Sequence, residues 1–77
     1  MDKPSVKHLF GNRVRELRKA RGWSQEEFAL HVGLDRSYVG GVERGERNIS
    51  LENICLIAAT LQFPPAKLFE GWNSSES

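Results

Sequence analysis

A segment of twenty residues in the middle of the chain, 25–44, has a spacing that favours two short helices joined by a tight turn. Ala29 is small enough for a second helix to cross over it, and Gly33 can adopt the positive φ that ends a helix. The apolar seam between the two helices is predicted to contain Phe28, Val32, Val39 and Val42. Packed in this way, the second helix keeps an outer face that can enter a groove of DNA.

The chain has 77 residues and a net charge of +1, which predicts one small domain, 1–77, with a thin core. No apolar run approaches the roughly 20 residues that span a membrane, and no signal segment opens the chain. We therefore expect a cytoplasmic protein without a membrane partner. Cys55 is the single cysteine, so an internal disulfide and a cysteine-based metal site are excluded.

Nothing in the pattern of residues indicates catalysis. His8 and His31 are far apart in the sequence and near no cysteine cluster. The sequence does not suggest a catalytic set of a nucleophile, a base and a group that orients the base. No phosphate-binding glycine loop occurs. We expect no enzymatic activity, no cofactor, no metal and no small-molecule ligand.

Basic residues are concentrated towards the N-terminus. Between positions 7 and 21, six lysines and arginines accompany the single acid Glu16, whereas from position 52 onward Lys67 accompanies three acids. A basic surface suits a phosphate backbone, although lysine and arginine also occupy the solvated face of any helix.

Apolar periodicity and capping residues predict an all-α domain of five helices. Ser24 and Glu27 have the spacing of a capping box at the start of the second helix, and Pro64-Pro65 precede the last. The predicted helices span about 5–21, 24–33, 35–44 and 50–61, with a final turn or two after Pro65. The first few residues and the tail 73–77 are polar, and we expect them to be flexible.

The region of about 50–72 is predicted to mediate dimerisation. The fourth helix should direct a core face inward, with Cys55 as a small apolar filler, and that face comprises Leu51, Ile54, Ile57, Ala58 and Leu61. Leu56 points away from this face. An exposed apolar patch suited to a two-fold contact would add Phe63, Phe69 or Trp72 to it. A single exposed leucine is, however, also common in monomers.

The outer face of the third helix is predicted to read DNA bases. Arg36 lies in its first turn and can form a bidentate pair with guanine, and the neighbouring Ser37 can donate or accept. Without side chains, Gly40 and Gly41 would let thymine methyl groups touch the helix backbone. Alternatively, Arg36 contacts a phosphate or solvent, and the glycines belong to a weak surface helix or to a close helix crossing.

Residues around both ends of the two-helix segment are predicted to bind DNA phosphates. The N-terminus of the second helix presents free N–H groups, to which Ser24 and Gln25 add side chains. The other candidates lie in or after the third helix, and they are Tyr38, Arg44, Arg47 and Asn48. Such contacts set register and affinity but carry no sequence information.

One ion pair is predicted to join the first and third helices. Arg18 lies at the edge of the apolar face of the first helix, and Glu43 follows Val42 on the inner shoulder of the third. A partly buried pair of this kind is structural, because removing one partner leaves the other charge without compensation.

The stretch GLDRSYVGGVERG at 33–45, followed by RNISL at 47–51, resembles the lambda-repressor-like helix-turn-helix family, in its Xre or Cro branch. The likeness covers about 10–69, and within the family it is greatest to the small controller proteins of restriction–modification systems. The resemblance implies a compact five-helix domain and a homodimer on a near-palindromic operator. The two recognition helices would then lie about 34 Å apart, one turn of the duplex.

Position by position, the resemblance also implies roles for individual residues. The family's DNA-contacting positions correspond to Gln25, Arg36, Ser37, Gly40 and Gly41, and its salt bridge corresponds to Arg18 and Glu43. Glu26 falls where some phage repressors contact RNA polymerase, although an acid in a first turn is also favoured by the helix dipole. Many relatives have glutamine in place of Arg36, so the preferred base should change from adenine towards guanine.

The sequence therefore predicts a sequence-specific DNA-binding regulator of transcription, which as a controller protein would regulate its own gene and a restriction gene. A phage-type or antitoxin-type repressor is the alternative within the same class. A module that bridges a transcription factor to RNA polymerase is an alternative of another class, and it predicts neither an operator nor a steep salt dependence.

Overall fold

The computed structural model describes residues 5–72, and the predicted flexible tail 73–77 lies outside them. Four α-helices follow one another: Val6–Ala20 (α1), Gln25–Val32 (α2), Arg36–Glu43 (α3) and Leu51–Leu61 (α4), with a 3-10 helix at Pro65–Phe69. No strand occurs between residues 5 and 72, so the predicted all-α class is confirmed. None of the helices described has the length and apolar character needed to cross a membrane.

The prediction of five helices is wrong in its last element, because the described residues contain four α-helices and a 3-10 helix. The N–H of Lys67 donates to the carbonyl of Pro64 at 2.9 Å, and the N–H of Glu70 donates to the carbonyl of Lys67 at 3.4 Å. These bonds span three residues rather than four. The segment is only five residues long and begins with prolines that lack an N–H, so a regular α-helical ladder has too few donors.

Local signals set the turn between α2 and α3. The Ser24 Oγ accepts from the N–H of Glu27 at 3.0 Å, and the Glu27 carboxylate accepts from the N–H of Ser24 at 2.7 Å. At the other end of α2, Gly33 has a φ of +81° and its N–H donates to the carbonyl of Ala29. Asp35 is the N-cap residue of α3, but its side chain makes no capping hydrogen bond.

All five elements contribute to the core. The four residues predicted for the seam between α2 and α3 are buried, and Ala29 is buried with them. The complete set of buried apolar residues is Phe10, Val14, Leu17, Phe28, Ala29, Val32, Val39, Val42, Ile57, Ala58, Leu61 and Leu68. The core thus holds α2 and α3 from behind and leaves their outer surfaces to solvent.

Gly11 permits α1 to cross α3 at close range. A Cβ atom at this position would lie only 2.3 Å from the carbonyl oxygen of Val42 and 2.6 Å from that of Glu43. Any side chain would collide with backbone there, so the crossing requires glycine.

Two expectations about α4 are wrong. Leu51 was predicted to fill the core, yet it is 74% exposed, and Cys55 is exposed rather than an apolar filler. Leu51 is the first helical residue and lies at the edge of the inward stripe, where the helix has only begun to meet the rest of the domain. Cys55 follows it one turn later on the same exposed side.

Candidate nucleic-acid interface

The first turn of α3 presents an uncovered edge. Arg36 and Ser37 are both exposed, directly after the bend at Gly33. None of the hydrogen bonds and ion pairs found within residues 5–72 involves the Arg36 side chain. The guanidinium is therefore available to an external acceptor.

A buried ion pair fixes α3 to α1. Arg18 Nε donates to Glu43 Oε2 at 2.7 Å, and Arg18 Nη2 donates to Glu43 Oε1 at 3.0 Å. The Glu43 side chain has no exposed surface, and Arg18 Nη1 also donates to the carbonyl of Trp23 at 2.8 Å. Two further groups face Glu43 Oε1: Arg15 Nε at 3.8 Å and Gln25 Nε2 at 3.0 Å. This one carboxylate therefore aligns α1, α3 and the start of α2.

The N-terminus of α2 combines backbone and side-chain donors. The capping box uses the amides of Ser24 and Glu27, so the amides of Gln25 and Glu26 remain without a helical acceptor. The bond from Gln25 to the buried Glu43 holds the Gln25 side chain beside α3. This corner has the donors and the partial positive charge that suit a phosphate.

Tyr38, in the first turn of α3, and Arg47, in the loop after the helix, form a second polar group. Asn53 Nδ2 donates to Tyr38 Oη at 3.1 Å, which leaves the hydroxyl hydrogen free to donate elsewhere. The Arg47 guanidinium lies over the Tyr38 ring, 5.3 Å from its centroid. Asn48 follows in the sequence and is exposed.

Arg44 is paired with an acid in the free protein. Its Nε and Nη2 donate to the two carboxylate oxygens of Glu46 at 3.0 and 3.1 Å. These hydrogen bonds hold the pKa of the Glu46 carboxyl below its ordinary value, and the charges of Arg44, Arg47 and His8 lower that pKa further. The same contact raises the pKa of Arg44, so both groups are ionised near neutral pH.

Gly40 and Gly41 follow Arg36 and Ser37 by one turn on the same face of α3, but they are not bare. The Arg44 and Gln25 side chains cover Gly40, and the Arg47 side chain covers Gly41. Direct contact between these glycines and thymine methyl groups stays a prediction, and it requires those side chains to move.

The residues predicted for dimerisation do not form one patch. The Arg21 guanidinium, at the end of α1, lies over the Phe63 ring, 5.1 Å from its centroid, whereas Phe69 packs at a tilt against Phe10 with ring centroids 5.6 Å apart. Position 10 and the C-cap position 21 are about 16 Å apart along the axis of α1, so the two phenylalanines contact separate parts of it. Leu56, 41% exposed, instead lies on the outer side of α4, about 140° around the helix from the exposed Leu51.

Sequence reasoning missed four residues that shape this surface, namely Gly11, Arg15, Glu46 and Asn53. Arg15 precedes Arg18 by three residues, so helical periodicity places both on one side of α1 and could have linked Arg15 to Glu43. The contacts of Gly11 and Asn53 join separate elements and have no local signal. No cluster of three metal-ligating side chains occurs in the described part of the chain.

A helix-turn-helix family model, HTH_3, matches residues 14–68, which include α2, α3 and most of the core. The chain belongs to this family. This HTH_3 protein is therefore a helix-turn-helix transcription regulator, and its relatives are regulators rather than enzymes.

Individual relatives confirm the resemblance to restriction–modification controllers. The chain is 43% identical to the control protein C.MunI of Mycoplasma sp over 65 residues. This alignment covers 83% of this chain and 88% of that protein. The crystal structure of the restriction-modification controller protein C.AhdI from Aeromonas hydrophila matches with a TM-score of 0.80 at 59% identity, over 82% of this chain and 96% of that one.

A second similar structure contains DNA. The master regulator for biofilm formation SinR, crystallised in complex with DNA, matches with a TM-score of 0.75 at 29% identity. The match covers 79% of this chain and 98% of the chain in that crystal structure.

Proposed function

We propose that this HTH_3 regulator binds a near-palindromic operator as a homodimer and, as a controller protein, regulates its own gene and a neighbouring restriction gene. The observation that carries the proposal is the bare Arg36–Ser37 edge of α3, which is flanked by cationic and N–H donors. Similarity to C.MunI and C.AhdI supports the controller role. A phage-type or antitoxin-type repressor is the alternative, and the genes beside the coding sequence distinguish the two.

In this mechanism α3 lies in the major groove with its first turn against the bases. Arg36 pairs with O6 and N7 of a guanine, and Ser37 bonds to an adjacent base edge. The phosphates on one side meet the start of α2, and those on the other side meet Tyr38 and the residues at and after the end of α3. The proposed phosphate contacts are Ser24, Gln25, Tyr38, Arg44, Arg47 and Asn48.

Substituting Arg36 with alanine should relax specificity at one base pair in each half-site. Because the guanidinium fork is lost, discrimination against the wrong base should fall by about 1–3 kcal/mol. The measurement is a binding titration on the operator and on its single-base variants, with the operator located by footprinting upstream of the gene itself.

Arg36→Lys is the matched control, since it keeps the positive charge and removes the fork. If Arg36 reads a base, the alanine variant loses more discrimination than the lysine variant, whose ammonium can still donate to guanine O6 or N7 without the rigid fork. An equal loss on operator and random duplex in Arg36→Ala refutes base reading.

The dimer is proposed to form through α4. Leu51, Cys55 and Leu56 are exposed residues of this helix; Leu56 lies farthest from the core face, and a two-fold axis can bring the Leu56 side chains of two copies together. Phe63 and Phe69, which contact separate parts of α1, would at most border the contact.

Replacing Leu56 with glutamate should give a monomer in sedimentation analysis, because a two-fold contact would bury two carboxylates next to each other. Operator affinity should fall with it, since each monomer then binds one half-site alone. Leu30→Glu is the matched control: Leu30 is 79% exposed on α2, and the same change there should leave the dimer intact. A dimer that persists in Leu56→Glu places the contact elsewhere.

RNA polymerase is a further proposed partner, and the outer side of α2 supports it. Glu26 and Leu30 are both exposed and one helical turn apart, which gives an acidic and apolar surface beside the turn into α3. If the protein is instead a module that bridges a transcription factor to RNA polymerase, this surface is its main binding surface, and no footprint on DNA is expected. A specific footprint with a steep salt dependence therefore supports the operator-binding function over it.

A further inference from the structure

Arginine side chains from the end of α3 and the loop after it lie over the two adjacent glycines of the helix. A Cβ atom at Gly41 would be 3.0 Å from Arg47 Cγ and 3.1 Å from Arg47 Nε. A Cβ atom at Gly40 would be 3.0 Å from Arg44 Nη1 and 3.3 Å from Gln25 Oε1. A side chain at either glycine would therefore come too close to the arginine that lies over it.

Both arginines are also held at their guanidinium ends. Arg47 lies over the Tyr38 ring, which is in turn fixed to α4 through Asn53. Arg44 makes two hydrogen bonds to Glu46. The Arg47 side chain thus crosses the backbone at Gly41 and ends on an aromatic ring, and Arg44 turns back over Gly40 within reach of Gln25.

Two glycines within a helix are unfavourable for helix formation, so their presence in α3 needs a reason. Gly11 explains the close crossing with α1, because its missing Cβ is replaced by backbone of α3. Gly40 and Gly41 meet no backbone of another element at that range, and their near neighbours are long side chains.

We propose that the missing side chains of Gly40 and Gly41 let Arg44 and Arg47 lie against α3 in an orientation that suits DNA binding. We call this pair of glycines the seat. The inference rests on the proposed function, in which these arginines contact phosphates. In the seat, long flexible side chains lie close to the helix and are partly ordered before DNA arrives, which lowers the entropy lost on binding. The guanidinium groups, rather than the glycine backbone, then form the surface that meets the duplex.

The test combines Gly41→Ala, Gly41→Leu and Arg47→Ala with the double variant Gly41→Leu/Arg47→Ala, each titrated against the operator and a scrambled duplex at several salt concentrations. Arg47→Ala should lose about tenfold in affinity, as for one hydrogen bond to a charged group, and about one unit of salt slope. Gly41→Leu should lose a similar factor on both duplexes, and Gly41→Ala a smaller one. In the double variant, the leucine should add no further loss, because the side chain that it displaces is already absent.

If DNA instead approaches the Gly41 backbone directly, Gly41→Leu weakens operator binding in the Arg47→Ala background as strongly as in the parent. That result overturns the seat, and so does an unchanged affinity in Gly41→Leu. Gly40 and Arg44 allow the same cycle.

A second readout needs no DNA. Protons of the Arg47 side chain above the Tyr38 ring should have upfield NMR shifts in the free protein, and Gly41→Leu should return them towards values typical of an unstructured arginine. If the upfield shifts persist in Gly41→Leu, the proposal that Gly41 positions Arg47 is wrong, even if Arg47 binds phosphate. Conversely, unchanged binding in Arg47→Ala removes the phosphate role of Arg47, whatever the NMR shifts show.

Discussion

Replacing Arg18 with methionine should lower the free energy of unfolding by about 3–5 kcal/mol, because it leaves the fully buried Glu43 carboxylate without its bidentate partner. For a domain of this size, that loss is a large part of the total stability. Arg15 stays 3.8 Å from the carboxylate and half-exposed, so it cannot replace both hydrogen bonds. Urea unfolding followed by tryptophan fluorescence measures the change.

Two controls separate the ion pair from the general effect of losing a charge. Lys19→Met removes a positive charge from the exposed neighbouring position and should change stability by less than about 0.5 kcal/mol. The double variant Arg18→Met/Glu43→Leu removes both charges together and should recover most of the stability. A loss in Arg18→Met no greater than that in Lys19→Met would show that the pair is not structural.

Gly11→Ala should destabilise the protein by about 3 kcal/mol, at the upper end of the usual range for overpacking. The added Cβ would lie 2.3 Å from the carbonyl oxygen of Val42, and backbone atoms of a packed helix cannot move aside as a side-chain end can. Separating α1 from α3 also strains the Arg18–Glu43 pair. The gain in helix propensity from glycine to alanine, about 1 kcal/mol, opposes the clash without cancelling it.

Gly41→Ala is the matched comparison for this prediction. It adds the same atom to a helical glycine, but the close neighbour is the flexible Arg47 side chain. Its thermal midpoint should stay the same or rise, because alanine favours the helix. Equal midpoints for the two alanine variants would contradict the assignment of Gly11 to the helix crossing.

Features that depend on a few consecutive residues were predictable from the sequence. The capping box of Ser24 and Glu27, the left-handed Gly33 and the buried seam are all observed, because each arises within one helix or one turn. The contact between Arg18 and Glu43 could also be inferred, since periodicity directs both side chains towards the interface of α1 and α3.

Other features depend on where separate elements end relative to one another. Leu51 matches the inward stripe of α4 by periodicity, but it lies at the edge of that stripe in the first turn and is exposed. Phe63 and Phe69 are alternative members of the predicted apolar patch, and only the structure shows that they contact separate parts of α1. The segment after Pro65 was predicted as a fifth helix, but its few donors give a 3-10 turn.

The amino-acid sequence alone determined the four α-helices and the bend at Gly33, because capping, periodicity and turn chemistry act over a few residues, and its resemblance to a known family indicated the class of regulator. Only the tertiary structure decided which glycine admits a neighbouring helix and which glycines lie beneath arginines. In the sequence, Gly11, Gly40 and Gly41 are all glycines within predicted helices, and nothing local distinguishes them. The atoms that lie beside each glycine belong to chain segments that only the packing of the core brings together.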